Sequence, residues 1–258
     1  MAEETLAQAE MPNVVSLLAR VFPGTAGGHF LHIWENIIFS VIVAFIVLIF
    51  FYLALRNRSA VPGRLQCAAE ILIGGIDDFI CGIMGPHGRK YVPFIGTLFI
   101  YILSMNLFGL IPFMKSPTSN LSVTFALAIC VFFYVQYAAF KELGPIGYVD
   151  HLMGRPRGFI AFSVVIPLLM LFMHVISEFI RPITLSLRLR NNIWGDDMLL
   201  AMLAGFGIKG VPFLIFSTIL IIIAAFVQAV VFSLLTTIYF TFILNHEGEI
   251  KKEVGNGL

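Results

Sequence analysis

The stretch SLRLRNNIWGDD, residues 186–197, is a polar sequence enclosed on both sides by apolar sequence. It follows FSVVIPLLMLFMHVISEFI at 162–180 and precedes MLLAMLAGFG at 198–207. An ionised side chain at the centre of a bilayer costs about 3 kcal/mol on insertion scales, so such residues are rare there unless they have a function. We therefore ask first whether the chain spans a membrane, and then what these polar groups do in it.

The composition is that of an integral membrane protein. Of 258 residues, 59% are hydrophobic and 12% are charged, and the mean hydropathy is +0.94, whereas soluble domains carry about 25% charged residues. The net charge of +1 provides no basic surface for nucleic acid. The cysteines, Cys67, Cys81 and Cys130, lack metal or redox spacing, and no phosphate-binding loop or zinc-protease motif occurs. We expect no metal site, no catalytic residue and no cofactor.

Apolar blocks along the chain predict the fold class. A transmembrane helix needs about 20 apolar residues, and five blocks reach or approach that length: 34–55, 92–114, 121–140, 159–204 and 211–244. Between the first two blocks, Glu70, Asp77 and Asp78 are spaced to share one helical face, which favours an interfacial or re-entrant helix over an ordinary loop. We predict an all-α polytopic membrane protein with about five membrane-embedded segments and a cytoplasmic-side interfacial helix, forming a single domain, 1–258.

The last two blocks are too long to cross a bilayer upright. As one helix, 211–244 would be about 50 Å long, against a hydrocarbon core of roughly 30 Å. They must tilt or bend, with Pro167 and Pro182 as candidate bends, and the short GFGIKG at 205–210 joins them as a hairpin. A tilted hairpin of this length predicts a surface that lies along a partner.

Lysine and arginine set the orientation of the spans. The segments 56–64, 89–90 and 141–157 are rich in these residues, and five crossings place all of them on the cytoplasmic side. The segment 1–33 is then periplasmic and the tail 245–258 cytoplasmic. Since 1–33 lacks the basic start of a cleaved signal peptide, we expect a multi-pass protein of a bacterial inner membrane, with an organelle-encoded protein as the alternative.

One helical stripe carries most of the intramembrane polar residues. Its members are spaced by three and four residues: His174, Glu178, Arg181, Leu185, Arg188, Asn192 and Gly195. Arg181 has a simple structural interpretation, because it can pair with Glu178 or extend to the membrane surface. Arg188 does not, because apolar sequence surrounds its stripe on both sides, and function is the default hypothesis for such a group.

Three stretches also match the ordered motifs of a known family. They are RPITLSLRLRNNIWGDD at 181–197, MNLFGLIPFMKSPTSNLSVTFALA at 105–128 and FVQAVVFSLLTTIYF at 226–240. The first resembles R-P-[IV]-[ST]-L-x-L-R-L-F-G-N…A-G-[EH], the second N-L-x-G-L-I-P…P-T…T, and the third a Gln followed by T-x-x-Y. These are motifs of subunit a of the rotary F-type ATP synthase, and the resemblance covers roughly 90–245.

The resemblance implies an all-helical stator subunit whose tilted final hairpin lies against a rotating ring of c subunits. The family's essential arginine falls on Arg188, its asparagine on Asn192, and its A-G-[EH] acid or histidine on Asp197. Its terminal-helix glutamine falls on Gln228, and a polar residue that is often Glu falls on His174.

The chain departs from the family pattern near these residues. Phe-Gly becomes Arg190-Asn191, which adds a charge beside the essential one. Many relatives carry a His or acid one or two turns before the glutamine, and this chain has STILIIIAAFV there. Asp197 or Glu178 then takes the place of that His or acid in proton transfer.

The resemblance implies a non-catalytic stator subunit with two proton half-channels. One half-channel protonates a carboxylate of the c ring and the other deprotonates it, so that proton flow is coupled to rotation and ATP synthesis. We expect His174 and Glu178 to line one half-channel, and Asn192 and Asp197 to lie nearer the other.

The resemblance also indicates supporting residues and partners. Gln228 is expected to hydrogen-bond Arg188, and Asn106 to contribute to the outer path. The expected partners are the c-subunit ring, a b-type peripheral stalk subunit, the rest of the ATP synthase, and lipid. An ion-coupled transporter and a structural respiratory subunit are the alternatives, although the chain lacks the internal repeat of a transporter. The transported ion, proton or sodium, stays open.

Overall fold

The computed structural model describes residues 26–56, 63–111, 114, 116–152 and 162–255. Within these ranges the secondary structure is helical, with 3-10 turns and no strand, so the predicted all-α class is confirmed. The α-helices are α1 Ala26–Arg56, α2 Arg64–Met84, α3 Val92–Phe108, α4 Leu121–Leu152, α5 Phe162–Gly205 and α6 Val211–Gly255. The predicted location of the two termini falls largely outside the described residues and stays a prediction.

Four helices are long and apolar enough to cross a membrane. The candidate spans are Trp34–Arg56, Leu121–Glu142, Leu168–Gly205 and Gly207–Thr241. The shorter α3, with 17 residues, is about 26 Å long at 1.5 Å per residue. These helices correspond to the five predicted blocks, and α4 extends past its block with a kink at Gly144, where φ is +70°.

The prediction of a single segment over 92–114 was wrong at its end, because α3 stops at Phe108. The next residues form tight turns, in which the Leu110 N–H donates to Leu107 O and the Ile111 N–H to Phe108 O. The chain then returns close to itself: a Cβ on Gly109 would lie 2.6 Å from Ser116 Cβ. Position 109 therefore has no room for a Cβ and requires glycine. The turns lead the chain toward α4 instead of prolonging α3.

Buried side chains of α3 form the centre of the bundle. Ile95, Ile102 and Met105 are fully buried. The rings of Tyr91 and Phe240 stack at 4.5 Å, and Phe99 contacts Phe226 at 6.0 Å. Residue numbers fall along α6 as they rise along α3, so these two helices are antiparallel.

The final hairpin forms as predicted. α5 continues through Pro182 without a break in the helix, and α5 and α6 contact each other after a tight turn. Gly207 has φ +62°, and a Cβ on Gly210 would lie 2.4 Å from the Leu203 carbonyl oxygen, so both positions require glycine. α4 packs along α5 and supports it from the other side.

The segment predicted as interfacial is a helix, and the alternative of an ordinary loop is excluded. α2 buries Ala69, Ile76 and Ile80 against the bundle and exposes Glu70 and other polar groups. It is not among the candidate spans of the described residues. An amphipathic helix of this kind suits a position at the membrane surface.

Asp77 connects α2 to the turn that follows it. Arg89 Nη2 donates to Asp77 Oδ2 at 3.1 Å, and the Cys81 thiol donates to Asp77 Oδ1 at 3.5 Å. The hydrogen bond from Arg89 holds the pKa of Asp77 below its ordinary value, against the opposing effect of burial. The pKa of Cys81 is raised, first by burial, then by its hydrogen bond to Asp77 and by the charge of that carboxylate.

Replacing Asp77 by Asn is expected to lower the pKa of Cys81, because the substitution removes a negative charge that disfavours the thiolate while burial remains. Since the thiolate is the reactive form, the pH profile of Cys81 alkylation should shift to lower pH. Iodoacetamide labelling of the detergent-solubilised complex, followed by mass spectrometry, measures this shift. Glu70→Gln on the same helix is the matched control and should leave the profile unchanged; an upward shift in Asp77→Asn would contradict the assignment.

Candidate functional site

Arg188 lies near the middle of α5 and is exposed. Its neighbours Leu185 and Leu189 are buried, at 3% and 0% exposure, so Arg188 marks the edge of the packed face of the helix. Among the residues that the structure describes, its guanidinium has neither an ion-pair nor a hydrogen-bond partner. A guanidinium stays protonated in any protein environment, so a full positive charge remains available at this surface.

Gln228 on α6 pairs with Asn192 rather than with Arg188. Asn192 Nδ2 donates to Gln228 Oε1 at 2.8 Å. Gln228 is 4% exposed, and its Nε2 is buried without a hydrogen-bond partner in the described part of the chain. A guanidinium offers only donors, so the Nε2 group of Gln228 does not pair with Arg188, and the Gln228 oxygen is hydrogen-bonded to Asn192 instead. The structure thus brings Asn192 and Gln228 together, about one turn from Arg188.

A second polar cluster surrounds Glu178, as the sequence in part predicted. Arg181 Nη1 donates to Glu178 Oε1 at 2.6 Å, which confirms the predicted pair. Gln136 Nε2 of α4 donates to Glu178 Oε2 at 2.8 Å. The Arg181 guanidinium also lies 4.7 Å from the ring centre of Tyr239 on α6, within cation–π range. Side chains of three helices therefore meet at this ion pair, and the charge of Arg181 is compensated.

Glu178 and Asp197 lie on opposite sides of Arg188 along α5. At 1.5 Å per residue, Glu178 is about 15 Å from Arg188 along the helix axis, and Asp197 about 14 Å in the other direction. Asp197 is half-buried. The two carboxylates are thus separated by a distance that no direct proton transfer crosses, with Arg188 between them.

His174 lies one turn beyond Glu178, away from Arg188. Its Nδ1 is 3.2 Å from the Met170 carbonyl oxygen of the preceding turn, to which it donates. The structure does not place His174 in the hydrogen-bonded cluster around Glu178 and Arg181.

Asn106 belongs to a separate buried network at the end of α3. The Thr118 hydroxyl donates to Asn106 Oδ1 at 2.9 Å, and the hydroxyls of Ser116 and Thr118 are 2.6 Å apart. Asn106 is 3% exposed, and its Nδ2 has no partner in the described part of the chain. The turn Pro117–Ser119 packs against α5 and α1, so this network lies beside the half of the hairpin that leads away from Glu178.

Comparison with known proteins assigns the family. The sequence model of the family described as "ATP synthase A chain" matches residues 37–241. The chain is 39% identical over 249 residues to "ATP synthase subunit a" of Protochlamydia amoebophila, covering 93% of this chain and 91% of the relative. The chain belongs to the ATP synthase subunit a family.

Other bacterial members of this family agree over most of their length. The subunit a of Sulfurihydrogenibium sp. is 36% identical over 214 residues, covering 82% of this chain and 98% of the relative. "ATP synthase subunit a 3" of Pelobacter propionicus is 36% identical over 207 residues, covering 80% and 85%. The chain is therefore a multi-pass membrane subunit of the ATP synthase complex, and this membership supports the proton-channel role in the stator.

Motif reasoning missed three polar residues of this subunit a. Tyr239 belongs to the T-x-x-Y motif, but the motif assigned it no function. Gln136 lies within an apolar block and belongs to none of the three motifs. Glu35 is buried at 7% exposure near the start of the first candidate span. The signal that could have found Gln136 and Glu35 is a single strongly polar residue in an otherwise apolar helix.

The pairing of Glu178 and Arg181 can be tested with a double-mutant cycle. Each single alanine substitution leaves one charge without its partner, whereas the double substitution removes both. Because the side chains are 20% and 29% exposed, we expect a coupling of about 1–2 kcal/mol, below that of a fully buried pair. SDS unfolding of the purified chain, followed by tryptophan fluorescence, measures it. Combining Glu178→Ala with the distant Asp78→Ala should be additive, and additivity in the main cycle would disprove the coupling.

Proposed function

We propose that this chain conducts protons through two half-channels that open to opposite sides of the membrane and do not join. One leads past His174 and Glu178, the other past Asn192, Asp197 and the Asn106 network. A carboxylate on the c ring takes up a proton from one half-channel and releases it to the other, so that proton flow is coupled to rotation and ATP synthesis. The separation of Glu178 and Asp197 along α5 supports this division.

Arg188 is the observation that carries the proposal. Its charge is exposed and unpaired among the described residues, and it lies between the two half-channels. It favours the ionised form of an approaching ring carboxylate, whose proton is then released, and it repels a proton that would cross directly. The mechanism requires this attraction to be moderate, because a tight desolvated pair would stop the rotor.

Gln228 and Asn192 support this role. The Asn192 side chain occupies the oxygen of Gln228 and leaves its Nε2 as a buried donor in the described structure. Arg188 and Gln228 thus both present N–H groups that need an acceptor, within about one turn of each other. A carboxylate offers only acceptors when ionised and meets this requirement, which a second cation would not.

The hairpin exposes large apolar side chains, which fit burial against a helical ring and against lipid. Phe172 and Phe179 on α5 and Phe216 and Phe226 on α6 are 52–64% exposed. We assign the exposed apolar surfaces of the hairpin to the c ring and the surrounding lipid, and α1 with α2 to the b-type stalk subunit. The chain itself is non-catalytic, and nucleotide chemistry belongs to the rest of the complex. With basic loops in the cytoplasm, the N-terminus is periplasmic and the protein lies in the bacterial inner membrane.

Substituting Arg188 by Ala is expected to abolish proton pumping, because no fixed charge then separates the half-channels or releases the ring carboxylate. The measurement is ATP-driven acidification of inverted vesicles that contain the assembled complex, with co-purification of the ring as the check on assembly. Arg190→Ala is the matched control, since Arg190 lies two residues away and faces another side of the helix. It should retain pumping.

Two outcomes would overturn the proposal. Undiminished pumping by assembled Arg188→Ala would remove Arg188 from the ion path. Loss of pumping in Arg190→Ala alone would transfer the role to that residue. ATP-driven Na⁺ uptake in place of acidification by the unmodified complex would retain the half-channels and change the ion.

A further inference from the structure

Asp196 is an acid to which the motifs assign no function, although it lies deep in α5. It follows Asn192 by about one helical turn, and the helix continues beyond it to Gly205, about 14 Å further along the axis. The residues of that last part, MLLAMLAG at 198–205, are apolar. Exposure at a helix end therefore does not explain this acid, and for an ionisable group inside a membrane function is the default hypothesis.

The side chain of Asp196 lies on the packed side of α5. Leu189 and Ile193, seven and three residues earlier on the same side of the helix, are 0% and 4% exposed. Asp196 itself is half-buried, and its Oδ2 is buried without a hydrogen-bond partner in the described part of the chain. Asp197 follows at about 100° around the helix and therefore points in another direction.

The facing part of α6 offers no cation to such a carboxyl group. Asn192 is bonded to Gln228, and the two helices of the hairpin run antiparallel, so Asp196 lies opposite Ala224, one turn before Gln228. The stretch STILIIIAAFV, 217–227, contains no titratable side chain. An ionised Asp196 would therefore have no compensating charge on this stretch of α6.

We propose that Asp196 is a proton-carrying residue of the outer half-channel. The proposal deepens the proposed function and rests on it. A charged group that is buried without a partner is strongly disfavoured, so the neutral acid is the resting form at this position. The neutral acid holds one proton that it can pass on, which distinguishes a carrier from a fixed charge such as Arg188.

The transfer consists of two balanced steps in the direction of ATP synthesis. In the first, the O–H bond of Asp196 breaks, and its proton passes along the side of α5 that bears Asn192 to the ring carboxylate, which becomes neutral. In the second, the Asp196 carboxylate takes up a proton from the outer surface, and a new O–H bond forms. Asp196 lies about 12 Å from Arg188 along the helix axis, so water relays the proton between Asp196 and the ring.

Replacing Asp196 by Asn tests this role, because the amide keeps the shape of the side chain but cannot carry the proton. In the acidification assay with the assembled complex, pumping should fall roughly a hundredfold, a usual contribution of a general acid–base group. Asp78→Asn, at an exposed acid of α2, is the matched control and should pump normally. Adding Ala224→Glu to Asp196→Asn returns a carboxyl group from the opposite helix and should restore most of the lost pumping.

Infrared spectroscopy measures the protonation of Asp196 independently of pumping. The C=O band of a protonated carboxyl group is separate from the bands of carboxylates. Subtracting the spectrum of the assembled Asp196→Asn complex from that of the unmodified complex at neutral pH should leave such a band, whereas the same subtraction with Asp78→Asn should leave none. A carboxylate band in its place would show that Asp196 rests ionised and would overturn the proposal.

The outcomes distinguish this proposal from the proposed function. If assembled Asp196→Asn pumps normally, Asp196 is not a carrier, while Arg188→Ala still decides the half-channels. If Asp196→Asn stops pumping but Arg188→Ala pumps normally, Asp196 is on the ion path and the two-half-channel function fails. Loss of pumping that Ala224→Glu does not restore in an assembled complex would also overturn the proposal, because a carboxyl group at this level would not be what the site requires.

Discussion

The ion pair between Glu178 and Arg181 determines which charge is left in the middle of α5. Their opposite charges meet at 2.6 Å, and Gln136 fixes the second carboxylate oxygen from α4. An ionised group is tolerated at bilayer depth when it is paired in this way. Arg188, two turns further along the helix, has no such partner among the described residues. Arg181 is thus compensated within the bundle, whereas Arg188 keeps an exposed and uncompensated positive charge in the described structure.

Contacts from α4 and α6 fix the positions of these polar groups along α5. α4 packs along α5 and reaches it through polar contacts at both ends, with Gln136 at one end and Thr124 at the other, where the Thr124 and Ser186 hydroxyls lie 3.2 Å apart. α6 adds Gln228 and Tyr239 from a face that α3 buries. These polar side chains are therefore held by contacts within the bundle, while large apolar side chains of the hairpin stay exposed.

The sequence predicted the elements better than the contacts between them. Apolar blocks identified the helices because a lipid environment requires long apolar segments with internal hydrogen bonds. The pair of Glu178 and Arg181 was predictable because it follows from helical spacing alone. The end of α3 was not predictable. It depends on the close approach of Gly109 to Ser116, a contact that forms only where the chain has left the helix. The bond from Asn192 to Gln228 and the position of Tyr239 likewise depend on how α6 lies against α5, and no periodicity contains that information.

The short length of α3 has an electrical consequence. A helix of about 26 Å beside hydrocarbon of roughly 30 Å leaves part of the membrane to be filled by the turn that follows Phe108 and by the hydroxyls of Ser116 and Thr118. Polar groups there bring a high dielectric several ångströms deeper on that side. A transmembrane voltage of 100 mV, worth about 2.3 kcal/mol per elementary charge, then falls over a thinner insulating layer. The field is strongest where that layer is thinnest, so under the proposed function the voltage acts mainly on the carboxylate of the ring rather than along the approach to it.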